Sequence, residues 1–94
     1  MSFHVYIVRC RDGSYYTGHT DDVDYRISQH MSGAIKTCYT YTRRPVYIVY
    51  AAEFSSRYEA LSAERQIKGW SRKKKEALIN ENFERLKKLS KKVF

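Results

Sequence analysis

The chain has 94 residues, with 18 Lys and Arg against 10 Asp and Glu, and its formal net charge of +8 marks one small basic domain. A domain of this size buries roughly 60–65% of its unfolded surface, enough for a modest core without staples. No apolar run approaches membrane-spanning length, and Cys10 and Cys38 make neither a close-spaced metal pattern nor a disulfide framework.

The N-terminus lacks the basic-then-apolar pattern of a signal peptide, so the expected compartment is the cytoplasm, with reduced thiols. The charge suits a polyanionic partner, because Lys and Arg gain affinity by displacing counterions from phosphates. A small basic protein can also be basic for solubility alone.

In chain order, His4 to Cys10 and Ser14 to His19 are β-branched and aromatic runs on either side of Arg11-Asp12-Gly13, a hairpin signal. A two-residue Asp12-Gly13 loop would pair Arg9 with Tyr16 and put Tyr6 and Tyr16 on opposite faces. A three-residue loop with a left-handed Gly13 pairs Val8 with Tyr16, and the two phenols then share a face. The second register is the expected one, with Gly18 leaving open space on that face for a ligand.

Asp21 to Asp24 start a helix, with Asp21 the expected N-cap, and Ser32-Gly33 stop it. Its apolar stripe is Val23, Ile27 and Met31. Arg26 and His30 lie four apart on or beside the same face, where solvated charges seldom sit. Either could snorkel to water, but together, next to two tyrosines, they favour a site.

Residues 34–45 read as a loop in which Lys36, Arg43 and Arg44 mix with Tyr39 and Tyr41. Cations hold phosphates and aromatics stack on unpaired bases, although Tyr and Thr also suit an edge strand. Val46 to Ala51 is a nearly continuous apolar run, the pattern of a central strand covered on both faces.

Ser56 and Glu59 stand in capping-box spacing at the start of the next helix, which ends at Gly69. Glu64 falls in that helix's packing stripe with Ala60, Leu61 and Ile67. A carboxylate there must be paired with Arg26 or another base, protonated, or bound to a cation. Trp70 is expected to plug the core or cover its edge.

From Ser71 the chain is helical and basic. Arg72, Lys73, Lys74 and Lys75 match the sign of the cluster in 36–44, and the two are expected to make one phosphate-contacting surface. The predicted domain is 1–80. Residues 81–94 are a basic helical extension with Lys87, Lys88, Lys91 and Lys92.

Val5-Tyr6-Ile7, then Tyr16-Thr17-Gly18, then Arg26 ten residues after the second tyrosine, resemble the GIY-YIG nuclease superfamily over roughly residues 3–80. The likeness is to its short, stand-alone bacterial members, whose role is generally uncharacterised. Val5 stands where glycine is usual and Thr17 where isoleucine is, but both tyrosines are kept. The family's fold is α+β, a small three-stranded antiparallel sheet flanked by helices, here with an extra C-terminal helix.

By this resemblance Tyr6, Tyr16, Arg26, His30 and Glu64 are the catalytic set, and His19 takes an often basic position among the nucleic-acid contacts. The family's asparagine beyond the glutamate could correspond to Asn80. The implied activity is metal-dependent hydrolysis of DNA phosphodiesters, in substrates that are branched, damaged or under repair. Glu64 would hold a single Mg²⁺ or Mn²⁺, Arg26 the scissile phosphate, and one tyrosine, Tyr6 slightly before Tyr16, would be the general base. His30 would orient or relay the proton. The alternatives are a nucleic-acid-binding module without catalysis and a subunit whose specificity comes from a protein partner.

Overall fold

The computed structural model describes residues 2–80, so the extension expected over 81–94 lies outside the described residues. Strands β1 (Phe3–Cys10), β2 (Tyr15–Thr20) and β3 (Val46–Phe54) form one antiparallel sheet in the order β2-β1-β3. Helix α1 (Val23–Ser32) lies between β2 and β3 in sequence, and α2 (Arg57–Lys68) and α3 (Arg72–Ile79) follow β3. The architecture is the expected α+β one. Among the described residues no helix is long and apolar enough to cross a membrane.

The hairpin has the second of the two registers. Cys10 and Ser14 close a three-residue loop through the Cys10 N–H to Ser14 carbonyl bond of 2.8 Å, and Gly13 takes φ +85°. Val8 therefore pairs with Tyr16 and Tyr6 with Gly18. Alternation sends Val5 and Ile7 to one face, where they pack with Ala60, Ile67, Ala77 and Leu78 of α2 and α3. Tyr6, Val8 and Cys10 point to the other, with Tyr16, Val46 and Ile27 of α1.

β1, not β3, is the central strand: Val5, Tyr6, Ile7 and Val8 are fully buried, whereas Tyr47 is 63% exposed on the edge strand β3. The apolar run of β3 misled because it spans a bulge. Ile7 pairs with Tyr50 and Val8 with Ile48, so Val49 is the extra residue and the alternation slips there. Tyrosines also tolerate a wet face, since their hydroxyls remain hydrated.

Two details of α1 differ from expectation. Asp22 rather than Asp21 is the N-cap, its Oδ1 accepting the Tyr25 N–H at 3.0 Å, while the Thr20 hydroxyl takes the Asp22 N–H at 3.1 Å. Met31 is 44% exposed, and His30 is the residue of α1 that is buried. Gly33, at φ +73°, caps the C-terminus as predicted.

The Ser56 hydroxyl caps α2 by accepting the Glu59 N–H at 3.1 Å, and Gly69 ends the helix. Trp70 is partly buried against the α2–α3 core, covering its edge, with the Lys74 ammonium 4.4 Å from the ring centre.

Candidate active site

Tyr6 is the pivot of the site. The hydroxyl end of its ring covers Gly18, where a Cβ would sit 2.5 Å from the phenol oxygen. The space that Gly18 opens is thus filled by Tyr6 and not left for a ligand, which corrects the sequence expectation. The Tyr6 hydroxyl meets His30 Nε2 at 2.8 Å and receives the Arg26 Nε–H at 3.4 Å. Arg26 is steadied further by its Nη1–H to Gln29 Oε1, 3.3 Å. The spacing of 26 and 30 on α1 therefore delivers both residues to one phenol.

Tyr16 stands beside this pair. Its ring centre is 6.5 Å from that of Tyr6 and 5.4 Å, edge-on, from that of His30. Tyr39 of the loop stacks on Tyr16 at 6.1 Å, and the Arg43 guanidinium covers Tyr39 at 3.9 Å.

Burial dominates the electrostatics. It pushes the Tyr6 phenol up to about 12, the more so with Tyr16 beside it, although the Arg26 hydrogen bond pulls the other way. Burial raises Tyr16 as well, helped by the Cys38 thiol against it. His30 is held below the usual histidine range by burial and by the Arg26 charge. The Cys38 thiol is raised by burial but lowered overall, because the Thr40 and Tyr16 hydrogen bonds and the Arg26 charge outweigh that burial.

Glu64 is 6% exposed on α2. Its Oε2 is paired with His19 Nδ1, and its Oε1 with Lys68 Nζ at 2.9 Å. Of the ways to satisfy a carboxylate on a packing face, the chain uses bases, and they are His19 and Lys68 rather than Arg26. His19, expected among the nucleic-acid contacts, is committed to this pair. The Lys68 ammonium is also 5.7 Å from the centre of the Tyr16 ring, so Tyr16 is the link between the Glu64 group and the Tyr6–His30–Arg26 group.

A divalent ion fits this donor set in one way only. Among the described residues no group of three His, Cys, Asp or Glu side chains gathers, so the protein could offer Glu64, with His19 beside it, and water would complete the shell. Lys68 shows that the carboxylate already takes a cation at its second oxygen.

The expected phosphate-contacting residues divide into two kinds. Lys36 and Lys73 are exposed and have no ion-pair partner among the described residues. Arg43, Arg44, Arg72 and Lys74 also serve the fold. Arg43 donates to Asp12 Oδ2 at 3.1 Å and Arg72 to the Gly13 carbonyl at 2.8 Å, so both basic clusters meet on the hairpin turn. Arg44 donates to the Tyr41 carbonyl at 2.9 Å, and its guanidinium lies against Gly33. Lys74 packs on Trp70.

Sequence reading passed over Lys68, Gln29, Cys38 and Thr40. Lys68 had a signal, since it stands one helical turn after Glu64. Gln29 likewise follows Arg26 at helical spacing, whereas nothing local ties Thr40 or Cys38 to His30.

The model of the GIY-YIG catalytic domain matches residues 2–77. A UPF0213 protein of Staphylococcus saprophyticus is 47% identical over 78 residues, which is 83% of this chain and 94% of that protein. One from Streptococcus pneumoniae is 44% identical over 82 residues, covering 87% and 82%. Among solved structures, the NMR structure of a UPF0213 protein from Bacillus halodurans superposes with a TM-score of 0.55 at 46% identity, over 85% and 84% of the two chains. An Enterococcus faecalis protein, also solved by NMR, gives 0.61 at 34% identity over 88% of each. With the paired tyrosines on one sheet face, the arginine on α1 and a match over nearly the whole described fold, the chain belongs to the GIY-YIG nuclease superfamily.

Proposed function

We propose that this protein is a divalent-metal-dependent endonuclease that hydrolyses DNA phosphodiesters, with a structured or damaged substrate. What supports the reading most is the meeting of Tyr6, Tyr16, Arg26 and His30 on one sheet face, with Glu64 joined to them through Lys68 and Tyr16. A packing core needs none of these polar groups there.

Arg26 binds the scissile phosphate. Tyr6 and Gln29 hold two of its nitrogens, which leaves the rest of its donor fork for phosphoryl oxygens. Tyr16 is the phenol placed to take the proton of the attacking water once its own proton has left to solvent, a state that the Arg26 charge favours against its burial and that a cation held at Glu64 would favour further. Tyr6 has no exposed surface and is already engaged by His30 and Arg26, whereas Tyr16 is only half-buried. Tyr6 then serves as the arm that holds Arg26. Glu64 would hold Mg²⁺ or Mn²⁺, which supplies Lewis-acid charge at the phosphate and the leaving oxygen. Lys68 keeps the carboxylate neutralised until then, and Lys36 and Lys73 hold flanking phosphates.

A second reading, a nucleic-acid-binding module without catalysis, is favoured by one observation: His19 and Lys68 already satisfy Glu64 as a structural ion pair. In either case a protein partner could supply the substrate specificity.

The test is cleavage of single-stranded, duplex, flap and four-way-junction DNA with Mg²⁺ or Mn²⁺, wild type beside Arg26→Ala and Glu64→Ala. Metal-dependent cutting that both substitutions abolish, with binding kept in Glu64→Ala, is the expected result. Salt-sensitive binding without cutting in all three would leave the binding module.

A further inference from the structure

Behind the Tyr6–His30 contact runs a buried chain of hydrogen bonds that nothing in the cleavage chemistry requires. His30 Nδ1 meets Thr40 Oγ1 at 2.7 Å, and the Thr40 hydroxyl donates to Cys38 Sγ at 3.4 Å. Tyr6, His30 and Thr40 are each at most 2% exposed, so their protons must be satisfied within the chain.

The direction of every bond follows from its two ends. Arginine only donates, so Arg26 Nε–H spends a lone pair of the Tyr6 oxygen and leaves the Tyr6 proton to find an acceptor. That acceptor is His30 Nε2, which must therefore be bare. A neutral imidazole with a bare Nε2 carries its proton on Nδ1 and donates it to Thr40 Oγ1. The Thr40 proton goes to the Cys38 sulfur. Reversing the sequence would leave the Tyr6 hydroxyl proton buried without a partner, which costs more than any bond gained.

We propose that Thr40 is a positioning residue: by accepting the His30 Nδ1 proton it fixes the tautomer whose bare Nε2 holds the Tyr6 proton. This keeps a lone pair of the Tyr6 oxygen turned to Arg26. The guanidinium meant for the scissile phosphate is thereby oriented from a residue that touches neither substrate nor Arg26. The role in cleavage rests on the nuclease reading above, while the tautomer does not.

The experiment is ¹⁵N-resolved NMR of the histidine rings in the wild type, Thr40→Val and Thr40→Ser, with DNA cleavage by the same three proteins. The wild type and Thr40→Ser are expected to show neutral His30 protonated at Nδ1. Thr40→Val, matched in shape, leaves His30 Nδ1 only the weak Cys38 sulfur at 3.8 Å and is expected to populate the Nε2–H form. In cleavage, Thr40→Val should lose about tenfold or more in kcat with KM changed less than about threefold, and Thr40→Ser should restore most of the rate.

A wild-type His30 protonated at Nε2, or a tautomer that Thr40→Val leaves unchanged, would overturn the proposal. So would an unchanged kcat in Thr40→Val with cleavage intact. Should Thr40→Val not fold, the wild-type spectrum together with Thr40→Ser still decides it. The expected tautomer in a wild type that cuts no DNA would instead count against the nuclease reading, and the hydrogen-bond chain would stand.

Discussion

Two single residues carry consequences for stability that can be separated from the chemistry. Thr17 occupies a position where the family usually has isoleucine. It is 2% exposed, opposite Ile7 on β1, and its hydroxyl has no hydrogen-bond partner among the described residues. An unmade buried hydroxyl bond costs about 1–3 kcal/mol. Thr17→Val keeps the shape and removes the orphan, and should raise stability by about 1 kcal/mol, read as a higher urea midpoint with the slope unchanged. His30 predicts the reverse kind of effect, one that depends on pH. Burial and the Arg26 charge hold its folded pKa below the unfolded value of about 6.5. Below that pH the unfolded chain binds a proton that the folded chain refuses. The contribution is therefore complete above about pH 6.5 and is lost as pH falls toward the lowered folded value, at no more than about 1.4 kcal/mol per pH unit. Urea midpoints at pH 7 and pH 5 should fall less in His30→Gln than in the wild type, and equal falls would refute the assignment.

At the scale of elements, the hairpin is where local chemistry decides most. Gly13 at φ +85° closes the three-residue loop, and nothing lies within 4 Å of a Cβ placed there. Gly13→Ala is thus disfavoured by backbone conformation alone, by about 1 kcal/mol, and Gly13→Asn should cost less because asparagine tolerates the left-handed region. Thermal melts of both variants check the ranking. Since the turn sets the register, it also sets the shared face of Tyr6 and Tyr16, and this much was legible from Arg11-Asp12-Gly13 and its flanks. The capping of α2 by Ser56 and the stop at Gly33 were legible for the same reason, being carried by adjacent residues. What sequence could not show depended on partners far along the chain. The centrality of β1 over β3 is a matter of which strand is flanked on both sides, and the bulge at Val49 shows no local signature. The α1 cap moved by one residue, from Asp21 to Asp22, because two adjacent aspartates offer equal chemistry and the Thr20 hydroxyl favours the second. The Glu64 burial followed from helical phase. Its partner Lys68 was readable at four residues' spacing, but His19 approaches from another element, as does the loop residue Thr40 toward His30.

For the molecule as a whole, the 18 Lys and Arg overstate the cations available to a polyanion, although pairing with carboxylates leaves the net charge of +8 unchanged. Arg43 is tied to Asp12, Arg72 to the Gly13 carbonyl and to Glu76, and Lys68 to Glu64, so part of the positive charge is spent inside the fold. Lys36 and Lys73, like Arg9, Arg11 and Arg65, are exposed and lack such ties among the described residues, and these two lie in the clusters singled out by the sequence. Each phosphate neutralised releases counterions, and log K falls against log salt with a slope of about −0.9 per contact on duplex DNA. Lys36→Ala and Lys73→Ala should each weaken DNA binding, reduce that slope by about one, and leave the melting temperature nearly unchanged. Arg43→Ala and Arg72→Ala should instead lower the melting temperature as well, because each removes an anchor of the hairpin turn on which the loop and α3 converge. Fluorescence-anisotropy titrations at several salt concentrations, beside melts of the same four proteins, separate the two classes. A slope unaffected by Lys36→Ala and Lys73→Ala would mean that the DNA is held elsewhere on the surface. If Arg43→Ala and Arg72→Ala changed the slope but not the melting temperature, the turn would be a phosphate contact and not the structural junction that its hydrogen bonds describe.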